Sequence, residues 1–194
     1  MRTRSFRYFG RMGGTMLCCL ALAWILHGVS PVAAITQGDS TMNFQISSTA
    51  FKQGEYIPKK HTGEGPDLSP ALQWANPPAG VKSFALICDD PDAPVGTWVH
   101  WVIFNIPASA AGLPEGVPTN KELKDGARQG TNDFRKIGYG GPMPPRGSDH
   151  RYFFKLYALD LTLAMNSGVK KADVLKAMEN HILGQAELMG RYKR

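Results

Sequence analysis

The chain has 194 residues, of which 22 are Lys or Arg and 16 are Asp or Glu, giving a formal net charge of +6. Four of the basic residues, Arg2, Arg4, Arg7 and Arg11, fall within residues 1–34 and no acid does, so 18 basic residues face 16 acidic ones in the remainder. That near-neutral balance excludes the basic stripe with which a nucleic-acid binder tracks phosphates, and a single cysteine beyond residue 34, Cys88, excludes an internal disulfide there.

Residues 1–34 read as a secretory signal peptide: the arginines come first, then the apolar run Met16 to Leu26, then Ser30-Pro31-Val32-Ala33-Ala34. Val32 and Ala34 occupy the small-residue positions of a cleavage site. The run is too short for a spanning helix, which needs ~20 apolar residues. Cys18 and Cys19 lie at its start, whereas a lipidation cysteine follows such a run. The expectation is export to the periplasm or the medium, cleavage near Ala34, and no membrane span afterwards. Residues 35–194 have the length of one ordinary domain of ~160 residues, with no repeat or low-complexity tract.

In chain order, Asn43 to Ser47, Ser83 to Cys88, Trp98 to Ile106 and Arg151 to Leu159 are short runs, rich in β-branched and aromatic residues and bounded by Pro, Gly or Asp. These are strand signals. Trp98 to Ile106 is apolar on both faces, as in a strand covered on both sides. Gly112 to Gly130 reads as a surface excursion. Ala172 to Leu183 changes to a helical period, with Leu175, Met178 and Ile182 on one face, Asp173 in the first turn and Gly184 at the stop. Gln185 to Arg191 returns as a last strand. The residues alone thus predict a mainly β sandwich or barrel with a C-terminal helix.

Two segments carry the chemistry. The first is Asp89-Asp90-Pro91-Asp92-Ala93-Pro94, followed by Trp98-Val99-His100-Trp101-Val102. Three carboxylates in four positions, on a backbone fixed by two prolines, need partners. They can cap the turn, bind a cation, or orient a histidine by accepting its ring N–H. His100 shares strand parity with Trp98 and Val102. The second segment is Gly140-Gly141-Pro142-Met143-Pro144-Pro145-Arg146-Gly147, running into Ser148-Asp149-His150-Arg151-Tyr152. Its glycines would let a ligand approach main-chain N–H groups while its prolines stiffen the wall. His150 shares parity with Tyr152 and Phe154. Arg151 falls on the other face with Lys155, where an ion pair with a loop carboxylate is the expected role. His61 and His181 have no motif partner.

Together these loops, in this order, resemble the signatures of the phosphatidylethanolamine-binding protein family, in its bacterial Raf-kinase-inhibitor-like branch, over about Phe44 to Arg191. The resemblance implies a large central antiparallel sheet with Greek-key connections, a smaller second sheet on one side, and short helices near the C-terminus on the other. It implies a pocket of Asp90, Pro94, His100, Pro144, Pro145 and His150, walled by Trp98 and Tyr152, that accepts phosphate-bearing head groups. It assigns Asp90 to the pocket and leaves Asp89 and Asp92 structural. Many bacterial relatives carry Cys where this chain has Gly63 and Met143, so any tie between those positions is absent here.

Three functions compete. The leading one is a non-enzymatic pocket for a phosphate-like small anion or phospholipid head group. The others are a protein-binding inhibitor of a protease or kinase, and a metal-dependent hydrolase built on His100, His150 and Asp90. No nucleophile motif, no HExxH or GxSxG and no cofactor fingerprint occurs, so neither catalytic residues nor a cofactor is expected. Expressed in full, the chain should appear outside the cytoplasm with a new N-terminus near Ile35. Full-length chain in the membrane fraction, read by mass spectrometry, would overturn this.

Overall fold

The computed structural model describes residues 43–194, so the expected signal peptide lies outside the described residues. The strands are β1 (Gln45–Ser48), β2 (Leu72–Ala75), β3 (Ser83–Asp90), β4 (Trp98–Pro107), β5 (Gly112–Leu113), β6 (Arg128–Gln129), β7 (Asp149–Leu159) and β8 (Ile182–Lys193). One α-helix, α1 (Lys171–Met178), and a 3-10 turn at Lys59–His61 complete them. The strands form two antiparallel sheets, a large one in the order β6-β4-β3-β7-β8 and a small one in the order β1-β2-β5. After the β3–β4 hairpin the chain makes a long excursion and returns as β7 on the far side of β3, the return connection on which Greek-key arrangements rely.

The large sheet is buried on both faces because β3 carries apolar groups at both parities. Phe84, Leu86 and Cys88 enter one core cluster with Ile46, Leu72 and Trp74 of the small sheet, while Ala85 and Ile87 enter a second with Val174 and Met178 of α1. The small sheet therefore covers one face and the helix the other. Each large side chain withdrawn from water contributes about 1.5–3 kcal/mol, and Trp101, Tyr152, Phe84, Phe104 and Phe154 are all fully buried. The same parity separates the two acids at the end of β3. Asp89 turns to the helix face, where its buried carboxylate accepts from Lys155 at 3.0 Å and pairs with Lys171 at the start of α1, while Asp90 turns the other way, toward His150.

A bulge interrupts β4. Cys88 faces Trp101 and Asp89 faces Val99, so His100 is an extra residue opposite no partner. A bulge leaves its extra residue outside the ladder and resets side-chain parity. Accordingly Val102 packs with the helix-side cluster, while His100 stacks edge-on against Tyr152 of the opposite cluster. The expected shared face of His100 and Val102 is thus corrected, and the shared position of His100 and Trp98 stands.

Other expectations change at the C-terminus. The helix is shorter than Ala172 to Leu183, and it is the one α-helix among the described residues rather than one of several. Asn180, at φ 65°, adopts the left-handed conformation that ends helices and that Asn takes more readily than most residues. Ile182 then belongs to β8, and the buried face of α1 is Val174 and Met178, with Leu175 exposed. Gly112 to Gly130 is more than an excursion: β5 pairs with β2 and β6 with β4, so the segment joins both sheets. Buried Gln129 fixes it there, accepting from Trp101 Nε1 and donating to the carbonyls of Pro118 and Asn120. Among the described residues no helix is long and apolar enough to cross a membrane.

Cys88 sits in the interior of the central strand, and burial, reinforced by the neighbouring Asp89 and Asp90 charges, pushes its thiol well up. A protonated, inaccessible thiol is inert. Alkylation of native protein followed by peptide mapping should leave Cys88 unmodified until denaturant is added. Rapid labelling without denaturant would contradict this placement.

Candidate functional site

Each wall of the site comes from a different part of the chain. At the bulge, the consecutive carbonyls of Val99 and His100 both accept from the 130–140 segment, Val99 from Asp133 N–H and His100 from Gly140 N–H, each at 2.9 Å. The His100 ring answers with its Nδ1–H, which donates to the Gly140 carbonyl at 2.6 Å. This reciprocal pair docks the Gly/Pro loop against β4. Three further contacts hold the loop to residues 61–67: Tyr139 O–H donates to the His61 carbonyl at 2.7 Å, Gly141 N–H to Asp67 Oδ1 at 2.7 Å, and Gly63 N–H to the Pro142 carbonyl at 3.0 Å. At the loop's far end Gly147 N–H donates to the Arg194 carbonyl at 2.9 Å.

The loop's glycines therefore serve packing. A Cβ at Gly141 would stand 2.4 Å from the His61 carbonyl oxygen, and the N–H groups of Gly140, Gly141 and Gly147 are all committed within the protein. The expectation that they approach a ligand is corrected.

The three acids diverge. Asp90 accepts from His150 Nδ1–H at 2.7 Å with one carboxylate oxygen and from Asp92 N–H at 2.8 Å with the other. Asp92 receives both the backbone N–H of Arg151 and a two-point contact from its guanidinium at 2.8 and 2.9 Å. That contact holds the Asp92 carboxyl down to about 2. Since its folded value lies below the unfolded ~3.9, the associated stability is present above that value and is lost as pH falls toward 2. On the outer side of His150, Arg191 pairs with Asp149, so both nearby arginines are neutralised.

Asp90, Pro94, Trp98, His100, Pro144, Pro145, His150 and Tyr152 all line one cavity of about 220 Å³, together with Ala93, Val95, Phe134 and Met143. No Lys or Arg is among them. His100 is 2% and His150 5% exposed, and with Nδ1 spent in both, Nε2 is the nitrogen left for a ligand. Burial lowers the His100 pKa. Trp98 Nε1–H and the Tyr152 hydroxyl are buried without a hydrogen-bond partner. Tyr152 lies beside the Asp90 carboxylate but makes no well-formed bond to it, and burial together with that charge raises its pKa strongly. Unpaired buried polar groups cost about 1–3 kcal/mol each, and both belong to residues that line this cavity.

The phosphatidylethanolamine-binding protein family model matches residues 47–193. The chain belongs to that family. It is 52% identical over 149 residues to a UPF0098 protein of Methanothermobacter thermautotrophicus, covering 77% of this chain and 98% of the relative. A UPF0098 protein of Aquifex aeolicus is 49% identical over 152 residues, covering 77% and 88%. Among crystal structures, Escherichia coli YbcL, a member of the mammalian phosphatidylethanolamine-binding protein family, superposes with a TM-score of 0.73 at 37% identity, covering 78% of this chain and 99% of that one. CT736 of Chlamydia trachomatis gives 0.72 at 40% identity, covering 78% and 98%.

Two residues escaped the sequence reading. Phe134 sets its ring edge-on to Trp98 and His100, with centroids 5.4 and 5.3 Å away, at the tip of a turn held by Asn132. A single large aromatic inside Asn132-Asp133-Phe134-Arg135-Lys136 was the available signal. Asp67 anchors the loop from 74 residues away, which nothing local announces. His181 pairs with Asp160 and does not line the cavity, whereas His61 is fully buried, its Nδ1 bonded to the Leu68 carbonyl at 2.9 Å.

Gly63 and Met143 do meet in this member of the family: a Cβ on Gly63 would lie 3.3 Å from Met143 Cβ, close to the ~3.5–4.5 Å span of a disulfide. The hydrogen bonds donated by Gly63 N–H, Gly141 N–H and Tyr139 O–H hold the loop without it. The double variant Gly63→Cys/Met143→Cys should therefore oxidise in air and resist unfolding by a further ~2–4 kcal/mol. Two additional free thiols in the unfolded, oxidised variant would show that the loop is held elsewhere.

Proposed function

We propose that the protein is a non-enzymatic binding protein whose pocket takes a small phosphorylated or otherwise oxyanionic ligand, with a lipid head group as one source of that chemistry. The observation that carries this reading is the Asp90–His150 pair lining a cavity in which Nε2 of both His150 and His100 remains uncommitted. When Nε2 of His150 is protonated, its contact with Asp90 becomes an ion pair and the ring offers a charged donor to an oxygen. His100 Nε2 is a second ring nitrogen available to the same ligand, and the aromatic and proline walls lower the polarity around both.

Nothing in this arrangement resembles an activated nucleophile. Asp90 and His150 are bonded to each other instead of converging on a common point, and among the described residues no cluster of three His, Cys, Asp or Glu is placed to hold a metal ion. These features favour binding over metal-dependent hydrolysis. The same proposal places the protein outside the cytoplasm, on the strength of its first 34 residues.

Calorimetry with inorganic phosphate and phosphorylethanolamine tests the site. Replacing His150 or His100 by Ala should weaken binding roughly ten- to a hundredfold, the ~1.5–3 kcal/mol of a hydrogen bond to a charged group, while leaving the fold intact. Asp90→Asn should weaken binding less than either histidine variant, since a carboxylate repels the anion and acts only by orienting His150. Unchanged affinity in both histidine variants would return these residues to a packing role.

A further inference from the structure

The methionines divide by exposure. Among the described residues Met178 is fully buried against the sheet, Met165 and Met189 are partly covered, and Met143 alone is exposed, at 43%. Met143 also lines the cavity, so one thioether belongs both to the surface and to the site. Its place there depends on Gly63, which is itself exposed: a Cβ on that residue would lie 3.2 Å from the Met143 sulfur. The loop backbone does not lean on this side chain. Hydrogen bonds from Gly63 N–H, Gly141 N–H and Tyr139 O–H hold one end of the loop, and the Arg194 carbonyl holds Gly147 at the other. The thiol of Cys88 lies in the core, so an oxidant arriving from solvent meets the Met143 thioether first.

We propose that Met143 is a reversible oxidation site through which peroxides lower the affinity of the pocket for its ligand. This rests on the oxyanion reading above and adds regulation to the same site. A sulfur lone pair attacks hydrogen peroxide, the O–O bond breaks, one oxygen stays on sulfur and the other leaves as water; the sulfur gives up two electrons and the peroxide takes them. The resulting sulfoxide is polar, and its oxygen accepts hydrogen bonds without donating any. The lining holds no Lys or Arg to answer that oxygen, and Asp90 is already an acceptor there, so an oxyanion entering past residue 143 meets a second one. Oxidation of Met178 would disrupt a packed core, whereas oxidation of Met143 alters the rim and leaves the bonds of the loop in place.

In the test, the full chain is treated with dilute hydrogen peroxide, mapped by mass spectrometry and titrated with phosphorylethanolamine. Met143 should gain one oxygen ahead of Met165 and Met189, with Met178 last. Affinity should fall roughly two- to fivefold, the scale of one polar contact at an exposed rim, with an unchanged circular dichroism spectrum. The two epimer-specific methionine sulfoxide reductases, supplied with a thiol reductant, should restore it. Met143→Leu keeps an apolar side chain without sulfur, and its affinity, whatever its starting value, should be the same before and after peroxide. Oxidation of Met165 or Met189 ahead of Met143, unchanged affinity once Met143 is oxidised, or an equal loss in Met143→Leu would each overturn the proposal while leaving an oxyanion pocket. Failure of the untreated chain to bind either phosphorylethanolamine or inorganic phosphate would overturn the oxyanion reading and this one with it.

Discussion

One extra residue in β4 underlies the architecture of the site. Without the bulge, His100 would be an ordinary ladder member, and alternation from Trp101 would turn its ring toward the helix-side cluster that holds Val99 and Val102. The bulge turns two consecutive carbonyls toward the 130–140 segment and frees the imidazole to hold Gly140 from the other direction. Backbone and side chain of one residue thus position the loop that forms half the cavity. The loop in turn needs glycine where it passes over the His61 carbonyl, and the bonds of Tyr139 to His61, of Gly141 to Asp67 and of Gly63 to Pro142 lie beside that close approach.

Around this joint the strand pleat distributes charge. Asp89 and Asp90 are adjacent, yet alternation sends the first to two lysines that tie α1 to the sheet and the second to the site. Asp92 leaves the strand altogether and pins Arg151, so the turn carrying Pro94 is anchored on both sides of His150. The three acids are therefore one structural device with three separate outcomes. Only Asp90 reaches the cavity, and it does so with both oxygens already engaged.

Much of this was legible in the sequence, and the failures share a cause. His150, Tyr152 and the opposed Arg151 follow from simple alternation on β7, which is regular through that stretch. The same rule misplaced Val102 relative to His100, because an irregularity that inserts one residue shifts every later side chain and leaves no trace in hydrophobicity. The helix was overextended because Ile182 happens to continue its period, while the signal that ended it, the left-handed Asn180, is weaker in sequence than the Gly184 it preceded. Phe134 and Asp67 act across distances in the chain that composition and spacing do not encode. Family resemblance supplied the convergence of the two loops, which no local pattern could have established.

The pairing of Arg151 with Asp92 and of Arg191 with Asp149 commits both arginines on the outer side of His150, and no Lys or Arg lines the cavity. A basic funnel can raise the rate of anion capture by about 10–10³, an advantage that vanishes as salt rises. Here the lining supplies no cation, and steering falls to exposed side chains beyond it such as Arg146, which follows Pro145. Under the proposed reading, attracting a ligand and holding it would be the work of different residues, so salt would act on the rate of capture at the rim and spare the contacts inside.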